Sequence, residues 1–479
     1  MTGTARPQGD AVSALASRPM PPAPARPAPG TPRPYHFPAV HRTTLANGLR
    51  LVIAPVTRLP LVTVLTLVDA GATADPRGEE GVAQLTASLL TEGAGDLTGA
   101  ALADRLEGMG SALDAGADWD ASVTRLTTLS SRLDEALALM ATVLRAPRFP
   151  DDEFARLRDE RLATLLQLRS EPRSLAGEAL DRTVFDAAAR YARPDGGSMR
   201  SVRALGRDAV ARFHAARYTP PATTIVIAGD VTVEGAIALV ERRFGDWTGA
   251  VPAALAAPDT PSRAGRTVTL VARPGAAQAE LRVGHAGPVR TTPDYFALLL
   301  GNAVLGGLFG SRLNLNLREK HGYTYGAHSG FDWRRFRAPF SMDAAVQSEV
   351  TAAAAREMLA EFAAIREGEV TEGELSLARD YLDGVFPIRF ETTRAIAGAL
   401  ATLATLGLPD DYHDTYRANV RAVTAADIRT AMRTHLDPDR LAIVAVGDPA
   451  LVHEQLASLG HAEVRTIDPT ALTDGDDEA

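Results

Sequence analysis

The chain has 479 residues, 46% of them apolar, no cysteine, and a net charge of −9 from 50 Lys+Arg against 59 Asp+Glu. That length and apolar content can bury several cores, and an acidic chain with no Lys/Arg stripe argues against nucleic acid as a partner. Without cysteine there is no thiolate catalysis, thiolate metal site or disulfide, while the compartment stays open.

Residues 1–40 are rich in Pro and Ala, with Pro21, Pro22, Pro24, Pro27 and Pro29 closely spaced. Such a segment cannot bury enough apolar surface to fold and reads as a disordered leader. Its apolar runs are too short for a signal-peptide core, and no later run approaches the roughly 18 apolar residues of a membrane span. The expectation is a soluble cytoplasmic protein with no membrane partner; export by an atypical signal stays open.

After the leader come two predicted strands, Leu49 to Pro55 and Leu61 to Asp69, and a helix that opens at Gly81 and runs to about residue 92. A strand-like run containing Trp119 follows a Gly-rich turn, and Asp151 opens a long helix. The buried-strand run Thr224 to Asp230 ends in Gly-Asp and leads into the helical pattern Val233 to Phe244. The chain then restates this order. Gly229-Asp230 recurs as Gly447-Asp448 at an offset of 218, the helix start DDEFARLRD at 151–159 as EGELSLARD at 372–380 at 221, and Trp119 as Trp333 at 214. Three landmarks in one order at nearly one spacing imply two homologous halves, 41–252 and 263–467, joined by a Pro/Ala-rich linker at 253–262 and followed by an acidic tail at 468–479. The second half opens with predicted strands Arg266 to Ala272 and Glu280 to Gly284. Separated strands and helices in each half predict an α+β fold, a mainly antiparallel sheet with helices packed on one face.

The helix at Gly81 is placed for metal chemistry and lacks the groups for it. A hydrolytic zinc site on one helix needs two imidazoles at i and i+4 with a carboxylate between them, as in the inverted motif H-x-x-E-H. Here Gln84 and Ser88 stand at the imidazole positions and Ala87 at that of the general base, and Thr164 falls where a third ligand is expected on a later helix. None of the ten histidines makes a second site: His321 and His328 are separated by a turn, and His453 has only Glu454 beside it.

The second half carries Leu-Arg-Glu-Lys-His-Gly-Tyr-Thr-Tyr-Gly at 317–326. Arg318 and Tyr325 flank Gly322 between a helix end and a strand start, where a guanidinium fork can hold carbonyls and a phenol can donate to an oxyanion. The plain alternative is Arg318 paired with Glu319 or Asp332 on the surface and Tyr325 as a half-buried strand aromatic. Tyr323 would share Tyr325's face if the strand has begun, and is the rival for its role. Upstream, Gly301, Gly306, Gly307 and Gly310 read either as a flexible loop that touches substrate or as close packing against the sheet. No Gly-Lys-Ser/Thr follows them, so they are not a phosphate loop. Trp119 and Trp333 read as core aromatics.

Two α+β halves, the Gly-Val-Ala helix start at 81–83 and the R-x-x-x-G-x-x-Y segment at 318–325 together resemble the pitrilysin and mitochondrial-processing-peptidase family of inverzincin metallopeptidases, over about residues 41–465. The resemblance implies a clam-shell around a substrate chamber. It matches Arg318 and Tyr325 to the family's substrate-gripping pair, Gly306, Gly307 and Gly310 to a substrate-touching loop, and residues 110–124 to a segment that offers an edge strand in the catalytic chain, which without zinc beside it reads here as structural. Gln84, Ala87 and Ser88 depart from its metal motif at every chemical position. The pattern therefore resembles the zinc-less subunit of a heterodimeric endopeptidase, with no cofactor in this chain, zinc in a homologous partner subunit, and a peptide as substrate. Two rivals stand beside it: a peptide-binding or scaffold protein of the same fold with no part in catalysis, and a self-sufficient hydrolase with an unrecognised site.

Overall fold

The structure, a computed structural model, describes residues 34–474. Strands of the first half are β1 (His41–Thr44), β2 (Arg50–Pro55), β3 (Leu61–Val68), the short hairpin β4 (Gly93–Ala94) and β5 (Leu97–Thr98), then β6 (Ala112–Ala117), β7 (Ser122–Leu129) and β8 (Thr223–Gly229). Those of the second are β9 (Thr267–Ala272), β10 (Gln278–Ala286), β11 (Ala327–Phe331), β12 (Pro339–Gln347), β13 (Ala442–Gly447) and β14 (Val464–Ile467). Apart from the β4-β5 hairpin, the strands among the described residues sort into two six-stranded sheets ordered β1-β2-β8-β3-β7-β6 and β14-β9-β13-β10-β12-β11. The two orders are the same once β14 takes the place of β1. Among the described residues only β2·β8, β13·β9 and β14·β9 run parallel, so both sheets are mainly antiparallel.

Each half lays its own helices on one face of its sheet. In the first, Val62, Val64 and Val68 of β3 share a core with Leu85 and Leu89 of helix Val82–Leu89 and with Leu137 and Met140 of helix Leu133–Arg145. The other face is covered by a helix from the opposite half. Leu175, Ala176, Ala179, Leu180 and Val184 of helix Pro172–Val184 pack on Val271, Ala442, Val444 and Val446 of the second sheet, and the alternation of those strand residues puts them on one face. In return helix Thr393–Leu406 packs on β3 and β8, where Thr63 Oγ1 and Thr393 Oγ1 are 3.0 Å apart. This exchange explains the composition of the central strands. β8 (TTIVIAG) and β13 (AIVAVG) are buried at every residue, so both faces demand apolar or small side chains.

Residues 36–474 form one compact unit. Its ends extend past the expected boundaries. Phe37, within the expected leader, is 7% exposed and lies 5.1 Å from the Phe390 ring and 4.4 Å from His413. Leu472, within the expected acidic tail, is buried in a short helix at Thr470–Thr473, and Arg169 Nε donates to Thr473 Oγ1 at 2.8 Å. One anchoring side chain in a polar stretch leaves no compositional trace. The rest of the leader, residues 1–33, and residues 475–479 of the tail lie outside the described residues. The linker runs beside the 185–191 segment, with Asp186 N donating to Thr260 O at 2.8 Å and Tyr191 N to Pro258 O at 3.0 Å.

Candidate functional site

Helix Val82–Leu89 is anchored at its start by a buried ion pair. Gly81 sits at φ 97°, a left-handed conformation open to glycine, and a side chain there would also meet Gly196 O at 2.7 Å. Asp75 accepts from Gly81 N through Oδ2 (2.8 Å) and from Ala83 N through Oδ1 (2.9 Å), satisfying amides at the helix start that have no intrahelical partner. Arg190 Nη2 donates to Asp75 Oδ2 at 2.9 Å, while its other nitrogens hold backbone carbonyls, including Ala72 O at 2.9 Å. Burial outweighs these partners and pushes the Asp75 carboxyl up to about 6.

Gln84 and Ser88 lie one turn apart on the half-buried side of this helix, and Ala87 is fully buried. Gln84 Oε1 is enclosed and has no hydrogen-bond partner among the described residues. Facing it is Gly196: a methyl group there would lie 2.2 Å from Gln84 Oε1 and 2.0 Å from Arg161 Nη2. Arg161 donates from Nε to Gly196 O at 2.9 Å. Its burial lowers its pKa, against the pull of Asp195 and Glu178. Thr164, one turn further along helix Asp151–Leu168, is exposed and spends its hydroxyl on Glu160 O at 3.0 Å.

These residues do not fit zinc. Hydrolytic zinc takes imidazole and carboxylate donors; here an amide, two hydroxyls and a methyl stand at the ligand and base positions, with a guanidinium beside them. Among the described residues no group of three or more His, Asp or Glu could hold a metal ion. Helix geometry has kept the inverted motif's scaffold and side-chain chemistry has left it.

In the second half, the chain after helix Tyr295–Asn302 widens into a π-helical turn, Ala303–Gly307. Gly306 is buried, and a side chain there would meet Ser329 N at 2.5 Å, so close packing against β11 accounts for it. Gly301 is likewise pressed against Met432. Gly307 and Gly310 are exposed, and between them Phe309 is 74% exposed. A second π-helical segment, Asn314–Lys320, carries Arg318, and Gly322 at φ 65° turns the chain toward β11. Arg318 is half-buried, with its guanidinium 4.3 Å from the Phe309 ring centroid and Nη1 3.2 Å from Glu319 Oε1. Tyr325 is 95% exposed. The structure thus joins Arg318 to the glycine loop through Phe309 and leaves Tyr325 standing clear of both. Tyr323 does not share a strand face with Tyr325, because β11 begins only at Ala327; it stacks instead on His321, ring centroids 4.9 Å apart.

In the 110–124 segment, β6 lies at the edge of the first sheet. Trp119 and Trp333 are only partly buried. Trp119 lies between the guanidiniums of Arg190 (5.1 Å) and Arg334 (4.5 Å), and Trp333 stacks on Phe331 at 5.4 Å. Sequence reasoning did not pick out Arg161, Gly196, Asp75 or Phe309. The one available signal was a cationic residue one turn before Thr164 on the ligand-bearing helix. The others become neighbours only through folding.

Paired sheets that trade one helix, with an inverted metal-motif helix in the first half and an Arg/Tyr segment in the second, define a protein of the two-half metallopeptidase type. The chain belongs to peptidase family M16. The family model described as insulinase (peptidase family M16) matches residues 53–193, and that described as the peptidase M16 inactive domain matches residues 204–382. An uncharacterized zinc protease of Mycobacterium leprae is 27% identical over 349 residues, 72% of this chain and 78% of that protein. A non-peptidase homolog of Helicobacter pylori is 22% identical over 395 residues, 81% of this chain and 90% of that protein. The crystal structure of a peptidase M16 inactive domain from Pseudomonas fluorescens superposes with a TM-score of 0.80 at 29% identity, covering 85% of this chain and 98% of that one.

Proposed function

We propose that this chain is the non-catalytic, substrate-binding subunit of a heterodimeric zinc endopeptidase that cleaves peptides or unfolded segments, and that it supplies Arg318 and Tyr325 in trans to a zinc-bearing homologous partner. The observation that carries the reading is a contrast between two folded segments. The metal-motif helix keeps its anchored start and offers no zinc donors, whereas Tyr325 stands 95% exposed and its phenol makes no hydrogen bond among the described residues. A substrate lying against the glycine loop would meet Phe309 and the Arg318 guanidinium together. Arg318 would then orient peptide carbonyls, and Tyr325 would donate to the oxyanion formed on the scissile carbonyl. The non-peptidase name of the Helicobacter pylori relative supports a non-catalytic chain. Zinc chemistry would belong wholly to the partner.

The test is reconstitution with zinc-bearing homologues from the same cell. Arg318→Ala and Tyr325→Phe should each lower peptide turnover by about ten-fold or more with unchanged thermal unfolding. Full turnover by both variants would sink the proposal, as would stoichiometric zinc and cleavage by the lone chain. A second reading, a peptide-binding scaffold with no role in catalysis, is favoured by the ion pair that already engages Arg318 with Glu319. It predicts peptide binding by the lone chain and no partner whose turnover depends on either residue.

A further inference from the structure

The chain is acidic overall, yet one cleft on it is basic. Between helix Pro172–Val184 and strands β9 and β14 lies a cavity of about 830 Å³ lined by Arg77, Arg182, Arg193, Arg266 and Arg465, with Asp186 and Glu463 as its acidic residues. An adjoining pocket of about 300 Å³ shares Arg77 and Arg193 and adds Arg200 and Glu80. Some of this charge is neutralised internally: Arg193 Nε pairs with Glu80 Oε1 at 2.8 Å, and Arg266 donates to Pro438 O and lies 3.6 Å from Asp439. Arg77 and Arg465 are exposed and form no ion pair among the described residues. The crowding is felt within the cleft. Arg193 has its pKa lowered first by burial, opposed by Glu80, and then by the like charges of Arg190 and Arg77.

The floor of the cleft points to the class of ligand. β14 ends its sheet, so the backbone amides and carbonyls on its outer side have no strand partner among the described residues. Arg465 is in register with Thr269 of β9, on the face that helix Pro172–Val184 covers, and the Thr267 hydroxyl on the same face is buried without a hydrogen-bond partner among the described residues. An extended peptide laid along β14 would answer the open backbone groups and send alternate side chains to the Arg465 face. A nucleic acid has no amide backbone to offer that edge.

We propose that this cleft binds an extended, carboxylate-rich peptide segment, with Arg77 and Arg465 holding its carboxylates and the open edge of β14 its backbone. The assignment is independent of the Arg318/Tyr325 reading. It is tested on the full chain by fluorescence anisotropy with a labelled peptide alternating Glu and Ala. That peptide should bind far more tightly than its Gln/Ala counterpart, and added salt should weaken it. The double reversal Arg77→Glu/Arg465→Glu should weaken binding by about ten-fold or more, and Arg105→Glu, an exposed site on another helix, should leave it unchanged. All three positions are exposed, and a circular dichroism melt confirms that the variants fold. A peptide N-methylated at alternate residues should bind more weakly than its parent. Equal binding of the Glu/Ala and Gln/Ala peptides, wild-type affinity in the double reversal, an equal loss in Arg105→Glu, undiminished binding of the N-methylated peptide, or tighter binding of a single-stranded oligonucleotide of matched charge would each overturn the proposal.

Discussion

Removing the Asp75 carboxylate tests the claim that a buried ion pair sets the start of the metal-motif helix. Asp75→Ala deletes acceptors for Gly81 N, Ala83 N and Arg190 Nη2 and leaves the Arg190 guanidinium buried. Breaking a buried pair costs about 3–5 kcal/mol. The lower end applies here, about 3 kcal/mol, because Arg190 still donates to the carbonyls of Ala72, Arg193, Pro194 and Asp195. Replacing both partners in Asp75→Ala/Arg190→Met should recover part of this, giving a coupling of about 2 kcal/mol in a double-mutant cycle. The assay is equilibrium urea unfolding of the four proteins, with hydrogen exchange at Gly81 and Ala83 as the local readout. The sign with pH follows from the Asp75 carboxyl lying at about 6, above the ordinary value near 3.8. The native state keeps a proton that the unfolded chain has already lost. Its contribution to stability therefore falls as pH rises between those values, and the ion-pair coupling should be larger at pH 7.5 than at pH 5. A loss below about 1 kcal/mol for Asp75→Ala, or a coupling that does not change with pH, would refute the anchoring role.

The neighbouring glycines should separate side-chain from backbone crowding. The atoms nearest a methyl in Gly196→Ala are the side-chain ends of Arg161 and Gln84, which can turn aside at a cost of about 1 kcal/mol, whereas Gly197→Ala, at φ 77° and 2.1 Å from the backbone Glu80 O, should cost about 3 kcal/mol or more; equal losses on urea unfolding would show that the two sites are not constrained as described. On helix Pro172–Val184, burial and then the charges of Asp181 and Asp195, opposed by Arg161 and Arg190, push the Glu178 carboxyl up to about 8. Its native state holds the proton through the range where the unfolded chain has lost it, so stability falls from about pH 4.5 to 8. Glu178→Gln should flatten that slope and raise stability at pH 8 by about 2 kcal/mol, and an unaltered slope would remove Glu178 as its source.

Several features of the fold were legible because they are local. Gly229 and Gly447 close β8 and β13, Asp151 and Glu372 open corresponding helices, and Trp119 and Trp333 follow the corresponding edge strands β6 and β11. The strands expected at 49–55 and 61–69 appear at 50–55 and 61–68. The exchange of helices Pro172–Val184 and Thr393–Leu406 was not legible, since an apolar helix face does not say which sheet it will cover. β14 escaped notice because four residues, Val-Arg-Thr-Ile, have little periodicity to read.

The sequence by itself determined the duplicated α+β plan, the absence of zinc-donor chemistry at Gln84, Ala87 and Ser88, and the Arg318 to Tyr325 segment. Those properties reside in residue types and spacings along the chain. Only the tertiary structure decided that Arg161 and Gln84 close on Gly196, that Arg318 lies over Phe309 while Tyr325 stays open, and that arginines from residues 77 to 465 line one cleft. Such arrangements depend on distances between segments far apart in sequence, and packing fixes them only when the helices and sheets of both halves are in place.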